Sequence, residues 1–202
     1  PDAPGCGIYG RAFDESGQPL SDQFVIASQV IGKTITEPSV AGLSGGGFVA
    51  TWHQEDEETP GYPFVFPYVQ RLYGRRYGAE WTPVGEAFAV SDIGSEWQQE
   101  GSAVRLDGGA FAVVWHDFNW NTGVATADKT ILAQVFSDDG SPKGSSILLS
   151  TQVLEDASVD PVFPSAASTD DGGFIAVWLA WGWQFGDVFA QRFDADGNKL
   201  YH

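Results

Sequence analysis

Apolar residues in this chain occur in short runs that alternate with polar residues, and three of these runs are near copies of one another. They read GGFVATWH at 46–53, GAFAVVWH at 109–116 and GGFIAVWL at 172–179. Phenylalanine recurs at 48, 111 and 174 and tryptophan at 52, 115 and 178, so both recur every 63 residues. A fixed interval of this kind is the sequence signature of a structural repeat.

Each copy is predicted to be the second strand, B, of an antiparallel hairpin. The preceding A strands begin at Ser39, Ser102 and Ser165, again 63 residues apart, and a glycine-containing turn joins A to B. The C strands are predicted at 68–72, 131–136 and 188–193, and D strands at 88–90 and 147–149. A first C–D hairpin is predicted at 8–13 and 24–27, which gives the order CD, AB, CD, AB, CD, AB, C.

This order predicts an all-β fold of repeated antiparallel hairpins with a 63-residue period, propeller-like or a related closed β-array. No segment shows sustained helical periodicity. We expect one domain over residues 1–202, with a lead-in at 1–7 and B strands ending at Trp52, Trp115 and Trp178. Three A–B hairpins are fewer than the four or more blades that propellers usually have.

The charge of the chain restricts its partners. With a net charge of −17 and a pI near 4.2, it is predicted to bind neither nucleic acid nor anionic membrane. Its longest apolar stretch, 174–183, is too short to be inserted in a bilayer. The acidic balance, the single cysteine (Cys6) and the absence of methionine predict an extracellular or cell-surface protein, either a mature secreted form or a piece of a longer one.

The residue after each B-strand tryptophan is the main candidate for chemistry. This position holds His53, His116 and Leu179. Equivalent positions in a closed repeat point towards a common axis, so the two imidazoles are expected to converge. Neutral imidazole binds copper, zinc and nickel, and Cu(I) accepts two or three ligands. The alternative hypothesis is that duplication copied a histidine along with the rest of its strand.

Two further features suggest other ligands. The turn at Asp194, Asp196 and Gly197 has some of the pattern of a calcium loop, although an aspartate and a glycine are also what a hairpin turn needs. Several tryptophans lie outside the B-strand position, and exposed aromatic rings stack on sugars, so a glycan is a further candidate partner.

The segments 171–178 and 189–198 resemble the tandem repeats of large bacterial secreted proteins that accompany RTX-type exoproteins. That resemblance covers nearly the whole chain and implies secretion and β-structure, and no reaction. More weakly, two equivalent histidines among many tryptophans are similar to methanotroph surface copper-binding proteins of the MopE/CorA type. This resemblance implies that His53 and His116 bind Cu(I) together with a tryptophan oxidised to kynurenine. By strand alternation, Trp120 and Trp181 are better placed as a third ligand than Trp52 or Trp115.

These observations together predict a secreted, non-enzymatic protein that captures a metal ion, above all copper, through His53 and His116 at the cell surface. The alternative is an adhesin-like or carbohydrate-binding repeat without a transition metal. A third hypothesis is a structural module stabilised by calcium.

Overall fold

The computed structural model describes residues 7–28, 33–55, 69–91, 97–119, 128–150, 160–182 and 186–201. These residues form fourteen β-strands and two 3-10 turns, with no α-helix among them, which confirms the all-β prediction. Within this described part, no helix is long and apolar enough to cross a membrane.

The strands form one two-stranded hairpin and three four-stranded antiparallel meanders. The hairpin consists of β1 (Gly7–Gly10) and β2 (Phe24–Ser28). The first meander contains β3 (Ile35–Gly42), β4 (Phe48–Glu55), β5 (Gln70–Tyr77) and β6 (Pro83–Ala89). The second contains β7 (Trp97–Arg105), β8 (Phe111–Asn119), β9 (Asp128–Phe136) and β10 (Pro142–Leu148). The third contains β11 (Asp160–Ser168), β12 (Phe174–Trp181), β13 (Gly186–Phe193) and β14 (Lys199–Leu200).

Several strands extend beyond their predicted limits. Backbone pairing of β4 with β5 continues to Glu55 opposite Gln70, so β4 runs past Trp52. The last predicted C strand is followed by the short strand β14, which completes the third meander. A single parallel bridge, Gln70 to Trp97, joins the first two meanders formally into one sheet.

The first strands of the three meanders lie next to one another. The Ser39 hydroxyl on β3 accepts a hydrogen bond from the Ala103 amide on β7 at 3.1 Å. Ser102 accepts one from Ala166 on β11 in the same way, also at 3.1 Å. The meanders therefore share an inner edge and diverge from it, which is how neighbouring blades of a propeller are arranged. No sheet among the described residues closes into a barrel.

The core lies between neighbouring meanders and is built largely from the B strands. Trp52, Trp115 and Trp178 are all buried. One apolar cluster joins the first and second meanders, another joins the second and third, and a third lies between β1–β2 and the first meander. Because both faces of β4 and β8 pack against protein, their sequences are nearly continuous apolar runs, whereas in β12 buried residues alternate with partly buried ones.

The turns that join C to D share one backbone geometry, but one of them has a tryptophan, Trp81, where the other three have a glycine. In each turn the fourth residue donates its amide to the carbonyl of the first. That fourth residue is Gly17, Gly140 or Gly197 in three turns, with φ of 81°, 87° and 83°. In the turn at 78–81 it is Trp81, with φ of 56°. A side chain in this left-handed region is strained by about 1–2 kcal/mol.

We expect Trp81→Gly to have a free energy of unfolding about 1 kcal/mol higher than Trp81→Ala. Both variants lose the indole ring, and only alanine keeps the strained backbone. Urea denaturation of the two variants measures the difference directly. A Trp81→Ala protein as stable as Trp81→Gly would contradict the assignment of strain to this turn.

Candidate functional site

The two ends of the meanders differ in their connections. At one end the A–B and C–D strands are joined by tight turns such as 44–46 and 137–140. At the other end, which we call the loop end, the first strand of each meander (β3, β7 and β11, the inner strands) begins and the B strand ends. The longer connections join strands that end or begin there, and they include 56–68, 120–127 and 151–159. These three stretches lie outside the described residues. Trp120, one of the two predicted third ligands, therefore also lies outside them. Functional residues are commonly carried at such an end of a rigid scaffold.

Three residues at the loop end hold an unusual backbone conformation. Glu37, Glu100 and Phe163 have φ of 53°, 58° and 54°, where residues other than glycine are rare. Each lies at a register shift between an inner strand and its B strand. Non-glycine residues in this region are frequent at functional sites, because the surrounding structure must hold them there. We call these three residues the inner column.

Hydrogen bonds run along the inner column from one meander to the next. Oε2 of Glu37 accepts the backbone amide of Glu100 at 2.7 Å. Oε2 of Glu100 in turn accepts the backbone amide of Phe163 at 2.6 Å. Each carboxylate is thereby held against the backbone of the next residue in the column, at the inner edge of the array.

The electrostatics of the column distinguish its members. Burial raises the pKa of Glu100, the amide of Phe163 partly opposes this, and the negative charge of Glu37 raises the pKa further. The ring of Phe163 is 61% exposed, next to the carboxylate that its own amide holds. Carboxylates accept hydrogen bonds from sugar hydroxyls, and an exposed aromatic face covers the apolar face of a sugar ring.

A second group of side chains surrounds His116 at the loop end of β8. Lys129 forms an ion pair with Asp160 of the third meander and lies 4.9 Å from the ring centre of Phe118. Phe118 in turn packs against Trp97 and against His116, with ring centres 6.4 and 6.3 Å apart. Burial lowers the pKa of His116 to about 4; Lys129 adds to this shift and Asp160 opposes it.

His53, the other predicted ligand, has different neighbours. Its Nδ1 lies 3.3 Å from the Thr36 hydroxyl. Burial lowers its pKa, whereas Glu37 and Glu55 act in the opposite direction. In the described part of the chain, Nε2 of neither His53 nor His116 has a hydrogen-bond partner. Both imidazoles are therefore held neutral, each beside its own set of charges.

The structure places the remaining predicted ligands as follows. Trp181 is exposed at the loop end of β12, and its backbone pairs with Asp160, the residue that acts on His116. No three histidine, cysteine, aspartate or glutamate residues in the described ranges are grouped to hold a metal ion. The carboxylate of Asp194, in the predicted calcium turn, accepts hydrogen bonds from the backbone amides of Asp196 and Asn198. An aspartate in an ordinary hairpin turn makes the same bonds. Cys6 lies outside the described residues.

The inner column is absent from the residues that the strand pattern singles out as candidate ligands. The signal was present, because Glu37 and Glu100 are separated by the same 63 residues as Ser39 and Ser102. Phe163 occupies the next position of that series, where the glutamate is replaced. The sequence did not show that β-bulges form at these positions, or that each glutamate carboxylate accepts a hydrogen bond from the backbone amide of the next residue in the series.

No family model matches the sequence, and no curated protein matches it. Solved structures do match the fold. A family 117 glycoside hydrolase from the marine bacterium Zobellia galactanivorans matches with a TM-score of 0.60 at 12% identity, over 96% of this chain and 60% of that one. A Hadza microbial sialidase matches with a TM-score of 0.56 at 11% identity, over 82% of this chain and 36% of that one. An α-L-arabinofuranosidase from Lactobacillus brevis matches with a TM-score of 0.52 at 13% identity, over 95% and 68%.

These matches show a propeller-like fold shared with carbohydrate-cleaving enzymes. They contradict the expectation that the protein is not an enzyme, because the folds it shares are those of glycoside hydrolases. The chain spans 36% and 60% of the sialidase and the family 117 hydrolase, so their activities belong to longer chains.

Proposed function

We propose that this chain is part of a propeller-like carbohydrate-binding protein, and that a glycan binds at the loop end against the inner column. The observation that carries this proposal is the hydrogen-bonded series Glu37–Glu100–Phe163, which fixes two carboxylates and ends at a residue with an exposed aromatic side chain. Holding these groups in advance lowers the entropy lost on binding. The resemblance of the fold to carbohydrate-cleaving enzymes supports the same class of ligand.

The charge of the site restricts the sugar. Two carboxylates on a chain of net charge −17 repel an acidic glycan. The ligand we propose is therefore a neutral oligosaccharide, whose hydroxyls donate to Glu37 and Glu100 while one ring face lies on Phe163. Sugars with carboxylate or sulfate groups are expected to bind more weakly.

Binding is tested on a panel of neutral and acidic oligosaccharides with the whole chain. We expect Phe163→Ala to weaken binding of a neutral ligand about tenfold, since a stacked ring contributes about 1 kcal/mol or more. Glu37→Gln and Glu100→Gln keep an oxygen acceptor for the backbone amides and are expected to weaken binding through lost charge-assisted hydrogen bonds. Glu86→Gln on the exposed strand β6 is the matched control and should bind like the wild type. Equal binding by the Phe163→Ala and wild-type proteins would refute the site.

Glycoside hydrolysis at the same carboxylates is the second candidate function. The raised pKa of Glu100 favours it, because a general acid must stay protonated while a neighbouring carboxylate remains ionised. In this mechanism Glu100 would protonate the leaving oxygen, and Glu37 would act as base or nucleophile. Release of reducing sugar that disappears in Glu100→Gln, without loss of substrate binding, would assign the reaction.

Copper capture by His53 and His116 is a separate prediction, favoured by two neutral imidazoles whose Nε2 atoms lack partners among the described residues. Titration with Cu(I) under a competing chelator measures it. We expect one bound equivalent, lost in both His53→Gln and His116→Gln. Unchanged glycan binding in these variants would show that the two functions are independent, and retention of copper by either variant would contradict a shared site.

A further inference from the structure

The β1–β2 hairpin corresponds to the C and D strands of the three meanders. Its turn, 14–17, has the same hydrogen bonds as the other C–D turns: Gly17 donates to Asp14, and Asp14 donates to Gln18. In each meander the C strand pairs on its other side with a B strand, along eight or nine residues. Among the described residues, β1 pairs with β2 alone. The hairpin is therefore half of a meander that has no A and B strands here.

The aromatic residues of the hairpin show what is missing. At the end of each complete C strand an aromatic ring stacks on the phenylalanine of the B strand. The pairs are Tyr77 with Phe48 at 4.6 Å, Phe136 with Phe111 at 4.9 Å and Phe193 with Phe174 at 4.9 Å between ring centres. Phe13 holds the equivalent position, directly before the turn, and is 55% exposed, whereas Phe193 is 1% exposed.

A second aromatic position lies four residues earlier in the C strand. There Tyr73 stacks on Trp52 and Phe189 stacks on Trp178, each with ring centres 6.3 Å apart. The equivalent residue of β1 is Tyr9, which is exposed. Tyr9 of β1 and Phe13, just beyond it, thus lack the partners that a B strand supplies in the complete meanders.

The inner strand next to the hairpin, β3, also has a side chain that is exposed where its equivalent in the second meander is buried. In the second meander, Ala103 follows Ser102 and is 8% exposed, because β3 of the preceding meander lies against it. Val40 follows Ser39 at the equivalent position of β3 and is 66% exposed. The face of β3 that would meet a preceding inner strand is uncovered.

Two of these exposed side chains, Tyr9 and Val40, line one cleft. It has a volume of about 450 Å³ and lies between the β1–β2 hairpin and the first meander. Tyr9 and Phe24 line it from the hairpin, and Val40 and Phe48 line it from β3 and β4. The cleft therefore lies beside the open edge of β1, and Phe13 directly follows Arg11 and Ala12 of its lining.

We propose that this cleft binds a further A–B hairpin of the same repeat, supplied by polypeptide other than residues 7–201. Its B strand adds to the open edge of β1, its phenylalanine stacks on Phe13 and its tryptophan stacks on Tyr9. Its A strand covers Val40. Main-chain pairing along an open edge supplies affinity, and the two aromatic positions supply specificity. This docking does not rest on the glycan proposal, since it is argued from the exposure of Tyr9, Phe13 and Val40.

The test uses the third A–B hairpin of this chain, residues 160–182, fused to a soluble carrier and added to the whole protein. We expect saturable binding, with protection of backbone amides from exchange at 8–13. Phe13→Ala is expected to weaken binding about tenfold or more, through loss of the stacked ring. Val188→Ala, at an even more exposed apolar residue of β13, is the control and should leave binding unchanged.

A second measurement keeps the test independent of how well the free hairpin folds. The same residues 160–182 are attached behind His202 through a flexible glycine–serine linker. We expect amides at 8–13 to become protected in this protein, and not in one whose added hairpin carries Phe174→Ala and Trp178→Ala. Absence of protection in both formats overturns the proposal, as does equal binding by Phe13→Ala. A self-associated dimer that buries Phe13 would also overturn it, in favour of a second copy of this chain.

Discussion

Replacing Phe136 with alanine is expected to lower the free energy of unfolding by about 3–5 kcal/mol, whereas Phe13→Ala is expected to cost less than about 1 kcal/mol. Both rings occupy the same position at the end of a C strand. Phe136 is buried against Phe111 and Phe88, with ring centres 4.9 and 5.3 Å away, so its loss leaves a cavity that the surrounding sheets cannot fill. Phe13 is largely in contact with solvent.

Urea denaturation followed by tryptophan fluorescence measures both variants under one condition. Phe193→Ala is the appropriate companion, because Phe193 is stacked on Phe174 and should behave like Phe136. A cost for Phe13→Ala comparable to that of Phe136→Ala would show that the first hairpin is already covered in solution. The difference between the two should shrink when the hairpin 160–182 is bound.

Acidification is expected to destabilise the protein through His116, by up to about 3 kcal/mol between pH 6.5 and pH 4. The pKa of His116 falls from 6.5 to about 4 in the folded protein, mainly because the ring is buried. The folded state therefore holds this proton more weakly than the unfolded chain does. The stability from the neutral ring is complete above pH 6.5 and is lost as the pH falls towards 4.

The measurement is the free energy of unfolding from pH 4 to pH 8 in the presence of a metal chelator. His116→Gln does not titrate and should have a flatter profile between pH 4 and pH 6.5. His53→Gln should flatten the profile in the same direction, because burial also lowers the pKa of His53. Glu100 has the opposite effect on the free energy of unfolding. Because its pKa is raised in the folded protein, the stability it contributes is lost as the pH rises through that pKa. An unchanged slope in His116→Gln would contradict the assignment.

The two histidines stand out in the sequence because each follows a repeated tryptophan. The charges that act on them are less visible there. Glu55 lies two residues after His53 on β4, whereas Glu37 and Lys129 reach their histidines from the paired strands β3 and β9. Asp160, which acts on His116, comes from the third meander, and strand periodicity does not specify that contact.

The all-β class, the antiparallel hairpins and the buried B strands follow from the sequence, because alternation, glycine turns and aromatic spacing are local properties of the chain. The candidate site depends on tertiary packing. Glu37, Glu100 and Phe163 meet only because register shifts at three bulges turn them towards the next inner strand. Tertiary packing also decides that Phe13 is exposed while Phe136 is buried, since burial depends on whether a partner strand is present beside the residue.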